Sequence, residues 1–154
     1  MSDEFETTNA GSSHTRPIQA GNVKKGGFAM LKGRPCRVVE VSTSKTGKHG
    51  HAKASIVGID IFTAKKLDEN CPTSHNMLEP IVTRTQYAII HWEDSGFLHL
   101  LDASGNLRMD LSWPLGRDDK ILEEWKKQLE AGQTPNCTVI SACGEEKVLG
   151  PNEK

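Results

Sequence analysis

The segment Ser42-Thr-Ser-Lys-Thr-Gly-Lys-His-Gly-His-Ala-Lys53 concentrates the groups in this chain that could do chemistry. Three amines (Lys45, Lys48, Lys53) and two imidazoles (His49, His51) stand among serines, threonines and glycines. No large apolar side chain accompanies them, so the segment has nothing to offer a core. Gly47 and Gly50 bracket Lys48-His49 and let the backbone turn sharply on both sides. The predicted geometry is a hairpin loop with Lys48 at its tip, Lys45 and Lys53 at its base, and the histidines beside it. A tip of that kind could enter a partner's cleft.

Four chemistries compete for this segment. A phosphate-binding P-loop needs G-x-x-x-x-G-K-[ST] opening a helix. Ser42 stands where its first glycine belongs, His49 where its hydroxyl belongs, and strand-like sequence follows, which excludes it. A metal site built on His49-x-His51 lacks a third ligand close by and is weakly supported. Two readings stay open on residue chemistry alone. One is an ordinary solvated basic hairpin. The other is a loop whose amines and imidazoles meet the phosphate and sugar oxygens of a nucleic acid.

The remaining reactive residue types are scattered. Cys36, Cys71, Cys137 and Cys143 form no C-x-x-C pair and read as reduced thiols, with Cys36, Cys137 and Cys143 as small core hydrophobes. His75, His91 and His99 fall in strand or turn contexts and read as structural. Trp92 and Trp113 could stack on bases but more often pack, and Trp125 belongs to an apolar helix face. No nucleophile–base pair or carboxylate pair stands out, so the chain is not expected to be an enzyme or to bind a cofactor or metal.

Short β-like runs punctuated by turns must position the loop. In the first half these are Gly27–Leu31, Pro35–Val41, Lys53–Phe62 and Met77–Val82, with Pro80 suggesting an edge or a bulge. Along Pro35–Val41, Cys36, Val38 and Glu40 are expected on one face, with Arg37, Val39 and Val41 on the other. In the second half the strands are Gln86–Trp92, Phe97–Leu101, Leu107–Leu111 and Cys137–Ser141. One helix is predicted from about Asp118 to Ala131, with Asp118 or Asp119 as its cap. Ile121, Leu122, Trp125 and Leu129 share a face, and Gly132 is the stop. Closely spaced strands with a single helix predict an all-β chain of two small barrels, the second with the outline of an OB-fold. The expected layout is a flexible polar tail over 1–16, one barrel over 17–83 and the other over 84–154.

The formal net charge of -1 conceals an asymmetry. Between Arg16 and Lys66 stand eleven lysines and arginines against two acids, Glu40 and Asp60, a local balance of +9. Between Thr83 and Lys154 eight basic residues face twelve acids, a balance of -4. The first half is thus a cationic body able to neutralise phosphates. The apolar fraction of 36 % lies toward the low end for globular chains, which excludes collagen-like and disordered classes. No apolar stretch approaches the roughly 20 residues needed to span a membrane. The acidic start is the reverse of a secretory signal, so a soluble cytoplasmic protein is expected.

The string from Ser42 to Lys53 closely resembles the hypusine loop of the eukaryotic translation initiation factor 5A family. Leu31–Cys36, Val57–Phe62, Cys71–Met77 and Ser104–Leu111 followed by Pro114 resemble further segments of that family in the same order, over about residues 16 to 150. The resemblance implies an N-terminal SH3-like barrel and a C-terminal OB-fold. It implies that Lys48 is the modified lysine, receiving an aminobutyl group from spermidine through deoxyhypusine synthase and a hydroxyl through deoxyhypusine hydroxylase. The NAD and iron of those reactions belong to the modifying enzymes. Lys45, Thr46, Gly47, His49, Gly50, His51 and Lys53 are implied as the surrounding contact loop for RNA or for the modifying enzymes. The implied partners are the ribosome near its exit site and the acceptor end of peptidyl-tRNA. The implied role is to relieve stalled peptide-bond formation, notably at proline runs, and to assist termination. A generic RNA-binding module acting without modification is the alternative.

Overall fold

The computed structural model of the chain describes residues 14–45, 52–114, 116–151 and 153. It divides into two compact units, Met1–Val82 with Ala142–Glu145, and Thr83–Ser141 with Glu146–Lys154. Among the described residues no helix is long and apolar enough to cross a membrane.

The first unit is built from a four-stranded antiparallel sheet in the order β2 (Phe28–Leu31), β3 (Arg34–Lys45), β4 (Ala52–Asp60), β5 (Lys66–Pro72). A second, two-stranded sheet pairs β1 (Thr15–Gln19) with β6 (Asn76–Pro80). Together they form the expected SH3-like barrel around Ala29, Leu31, Cys36, Val38, Ala54, Ile56 and Met77. The β2–β3 turn is as tight as a hairpin permits, because Lys32 (φ 52°) and Gly33 (φ 79°) both take the left-handed conformation. Gly58 is required by close packing: a Cβ there would lie 2.8 Å from Leu31 Cδ1 and 2.9 Å from the Cβ of Cys36.

Three sequence expectations change in this unit. Thr15 and Arg16, assigned to the tail, belong to β1; residues 1–13 of that tail lie outside the described residues. Glu40 does not share the inner face of Cys36 and Val38. The β3–β4 register slips between Val38 and Glu40, and this bulge turns Glu40 to solvent and brings Val41 against the core. Strand β5 was not foreseen, because its Lys-Leu-Asp-Glu-Asn-Cys-Pro sequence buries no residue fully: it pairs with β4 and lays only half-buried Leu67 and Cys71 against the core. Pro80, the expected edge residue, ends the β1–β6 ladder opposite Thr15.

The second unit is a five-stranded antiparallel sheet in the order β11-β10-β7-β8-β9. Its strands are β7 (Thr83–Trp92), β8 (Phe97–Leu101), β9 (Leu107–Ser112), β10 (Asn136–Ala142) and β11 (Glu145–Leu149). Helix α1 (Asp119–Glu130) lies between β9 and β10 in sequence, the arrangement of an OB-fold. The helix presents Ile121, Leu122, Trp125 and Leu129 to the core, as its periodicity predicts. Trp113 and Trp125 meet edge to face at 5.1 Å between ring centroids inside that core. The expected capping by an aspartate side chain is absent: Asp118 occupies the cap position at φ 29° without bonding a helix N–H. Asp119 instead accepts from Gly116 N–H at 3.3 Å, while Gly132 (φ 81°) follows the helix as expected. β11 was also missed, since Glu-Glu-Lys-Val-Leu carries its apolar residues only at its end.

Candidate functional site at the end of the β3–β4 hairpin

The polar segment singled out in the sequence is carried by the two longest strands of the first unit. The β3–β4 ladder continues past the core through Ser42↔Ser55, Thr43↔Ala54 and Ser44↔Lys53, and closes at Lys45↔Ala52. Lys45 is therefore a strand residue, where only a loop base was expected, while Lys53 lies in the strand predicted to begin at it. Thr46, Gly47, Lys48, His49, Gly50 and His51 lie outside the described residues. The described part of the site is the stem that ends six residues apart in sequence, with Lys48 third of the six.

The two strands of this stem are supported unequally. β4 is flanked on its other side by β5 as far as Lys53↔Pro72, and Thr73 N–H donates to Ala52 O at 2.9 Å. β3 pairs with β2 through Arg37 and exchanges two further backbone bonds with Gly26 and Gly27 at Val38. Beyond Val38, β4 is its sole strand neighbour among the described residues. Inward-facing Ala54 and Ile56 anchor the stem in the core, whereas Ser42 through Lys45 are exposed. The sequence dictates this change: once the apolar alternation ends at Val41, the strand has no face to bury and leaves the barrel.

The electrostatics of the unit separate two kinds of cation. Arg34 is neutralised, donating through Nε to Asp60 at 2.7 Å and through Nη1 to Glu145 at 2.7 Å. Burial opposes ionisation of Asp60, but Arg34 and the N–H groups of Phe62 and Thr63 outweigh it and hold the carboxyl at about 2. Lys24, Lys25, Lys32, Arg37, Lys45, Lys53, Lys65 and Lys66 make no ion pair among the described residues. The unit thus keeps a set of free cations, two of them on the stem itself. Asp60 was not singled out in the sequence; its signal is a lone acid closing a β-branched run in an otherwise basic stretch.

The other candidate residues occupy structural places. Cys36 and Cys137 are buried, and burial pushes their thiols up to about 11 and about 12; all four cysteines are free. Cys143, expected as a small core hydrophobe, is instead only half-buried, in the turn at φ 51° between β10 and β11. Trp113 is buried, and Trp92 lies under the Lys126 ammonium at 4.6 Å. His99 bonds Glu93 at 2.9 Å and meets the His91 ring edge-on, while His75 sits in the β5–β6 turn. No cluster of three or more metal-ligating side chains occurs among the described residues; the His49-x-His51 pair lies outside them.

Comparison with known proteins finds the same family for both halves of the chain. Residues 13–75 match the family described as translation initiation factor 5A-like, N-terminal. Residues 81–151 match the family described as eukaryotic elongation factor 5A hypusine, DNA-binding OB fold. The chain is 49% identical over 149 residues to eukaryotic translation initiation factor 5A of Drosophila melanogaster, covering 97% of this chain and 92% of that protein. It is 49% identical to eukaryotic translation initiation factor 5A-3 of Arabidopsis thaliana, covering 99% and 98% respectively. Among solved structures, an initiation factor 5A family protein from Naegleria fowleri superposes with a TM-score of 0.77 at 48% identity, over 88% of this chain and 96% of that one. With both halves matched in order and the likeness running nearly end to end, the chain belongs to the eukaryotic translation initiation factor 5A family.

Proposed function

We propose that the chain acts on the ribosome in the cytoplasm, and that Lys48 is converted to hypusine to do so. Deoxyhypusine synthase would transfer an aminobutyl group from spermidine to the Lys48 amine, and deoxyhypusine hydroxylase would add the hydroxyl. The observation that carries this reading is the ladder closing at Lys45↔Ala52 with cations on both strands and Lys48 third of the six residues beyond. A stiff stem ending in a short polar connection suits delivery of one amine to a deep site.

The proposed place of action is near the ribosomal exit site, with the lengthened side chain directed at the acceptor end of peptidyl-tRNA. A lysine extended by an aminobutyl unit carries two amines and a hydroxyl, groups suited to phosphates and 2′-hydroxyls. Proline is a poor and badly oriented substrate, and holding the tRNA end in productive geometry lowers the entropic part of the barrier. The same positioning would assist termination. Bond formation remains the work of the ribosome, and the chain supplies no catalytic group of its own. The test is Lys48→Arg in cells making proline-run reporters: rescue is lost if the reading holds and persists at the wild-type rate if it does not.

A second reading, an RNA-binding module acting without modification, draws on the free cations away from the stem, Arg37, Lys65 and Lys66 among them. It makes binding a matter of total charge, so that removing these cations would matter as much as removing Lys48.

A further inference from the structure

The second unit contains an anion site that is already filled by its own chain. Glu153 Oε1 accepts from the Arg117 guanidinium and from Gly150 N–H at 2.9 Å, and Oε2 lies 3.1 Å from Lys147 Nζ. The donors come from three places: the lead-in to α1, strand β11 and the segment after it. Arg117 is fixed before any ligand arrives, since Nη1 donates to Val148 O at 2.8 Å and its guanidinium carbon sits 3.8 Å over the Trp113 ring. A positively charged group so restrained is preorganised for an oxyanion.

An open cavity of about 490 Å³ adjoins this cradle, walled by Trp113, Ile121, Pro151 and Asp118 along with Arg117, Gly150 and Glu153. The backbone at Gly150 presses on the apolar wall, where a Cβ would come within 2.8 Å of Ile121 Cδ1. The site therefore pairs a charged cradle with room for an apolar group. Its present occupant is a peptide carboxylate, reached through the turn in which Glu153 N–H donates to Gly150 O at 3.2 Å. Asp118 at the rim repels a doubly charged phosphate more strongly than a singly charged carboxylate.

We propose that this cradle and cavity are the docking site for an acidic peptide of a partner protein, one presenting a carboxylate beside an apolar side chain, and that Glu153 fills the site in cis until such a peptide displaces it. Because the internal carboxylate is tethered, it competes at an effective concentration of about millimolar and masks the site against weak ligands. A partner peptide gains over it by filling the cavity against Trp113 and Ile121.

The test uses the full chain and two synthetic peptides, acetyl-Gly-Pro-Asn-Glu-Leu-amide and the same peptide with Gln for Glu. Binding is followed by nuclear magnetic resonance at the Trp113 indole N–H. The Glu153→Gln chain is expected to bind the glutamate peptide about tenfold more tightly than the wild type does, through loss of the internal competitor. The glutamine peptide should not bind, and Arg117→Met added to Glu153→Gln should abolish binding of the first peptide. Lys147→Met in place of Arg117→Met gives the same loss without touching the Trp113 stack. Equal affinity of the wild type and Glu153→Gln, binding of the glutamine peptide, or full displacement by an equal concentration of inorganic phosphate would each overturn the proposal.

Discussion

Lys45 and Ala52 are the last cross-strand pair of the β3–β4 ladder, and the connection between them contains Lys48. Up to that pair the strands are tied to each other by backbone bonds, and β4 is tied also to β5. The stem thus carries its polar end on a frame whose other end is the barrel core at Ile56 and Val38. The proposed role would rest on that frame and on the cations beside it, which can be altered separately.

Lys45→Ala and Lys53→Ala remove the exposed stem cations without touching the core. Each is expected to lower rescue of proline-run reporters by a few-fold and to leave the melting temperature unchanged, since an exposed cation without an ion pair adds little stability. Arg37→Ser with Lys66→Ser, remote from the stem, should leave rescue near the wild-type level. Equal losses from both sets would favour the charge-driven alternative.

Asp60 is the buried acid of the first unit, and its partners Arg34, Phe62 and Thr63 depend on its charge. Asp60→Asn is expected to destabilise the unit by about 2 kcal/mol, discounted from the usual cost of breaking a buried pair because Arg34 is partly exposed. With its carboxyl held at about 2 against an ordinary 3.8, the unfolded chain takes up a proton there first as pH falls. The stabilisation is therefore complete above about pH 4 and is lost as pH falls through about 2. Denaturant titrations between those values should show a steeper loss for the wild type than for Asp60→Asn.

Gly58→Ala puts a methyl within 2.9 Å of both Leu31 Cδ1 and Cys36 Cβ and 3.1 Å from Arg37 O. The strand cannot retreat without breaking its pairs to β3 and β5, so overpacking of about 1–3 kcal/mol is expected. A lowered denaturation midpoint with an unchanged slope checks this.

Trp125→Ala removes one ring of the Trp113–Trp125 pair from the core of the second unit. The expected cost is about 3–5 kcal/mol, read by chemical denaturation. Trp125→Phe should recover most of it, because the edge-to-face contact survives in smaller form.

The apolar periodicities that made elements legible in the sequence are those with a face to bury. Phe97–Leu101 was read to the residue, and the α1 face of Ile121, Leu122, Trp125 and Leu129 was read completely. Strands with a short or interrupted apolar face were not: β1 carries a proline, β5 alternates charges with half-buried residues, and β11 begins on two glutamates before its buried Val148 and Leu149. The bulge at Val39 was invisible because a register slip leaves no mark on composition, and it alone reversed the facing of Glu40. At the site, the polar string was legible because nothing in it could be buried. The extension of β3 from Val41 to Lys45 was not, since serine and threonine pair in a ladder as readily as they form a loop, whereas the start of β4 was read to within one residue. The Glu153 cradle was equally hidden: its three donors are separated along the chain and meet only through the fold.

The most direct test of the central claim is the mass of the tryptic region containing Lys48, from protein isolated from its native source. A gain of one aminobutyl unit plus one oxygen on Lys48 is the predicted result. An unmodified Lys48 in that material would contradict the account.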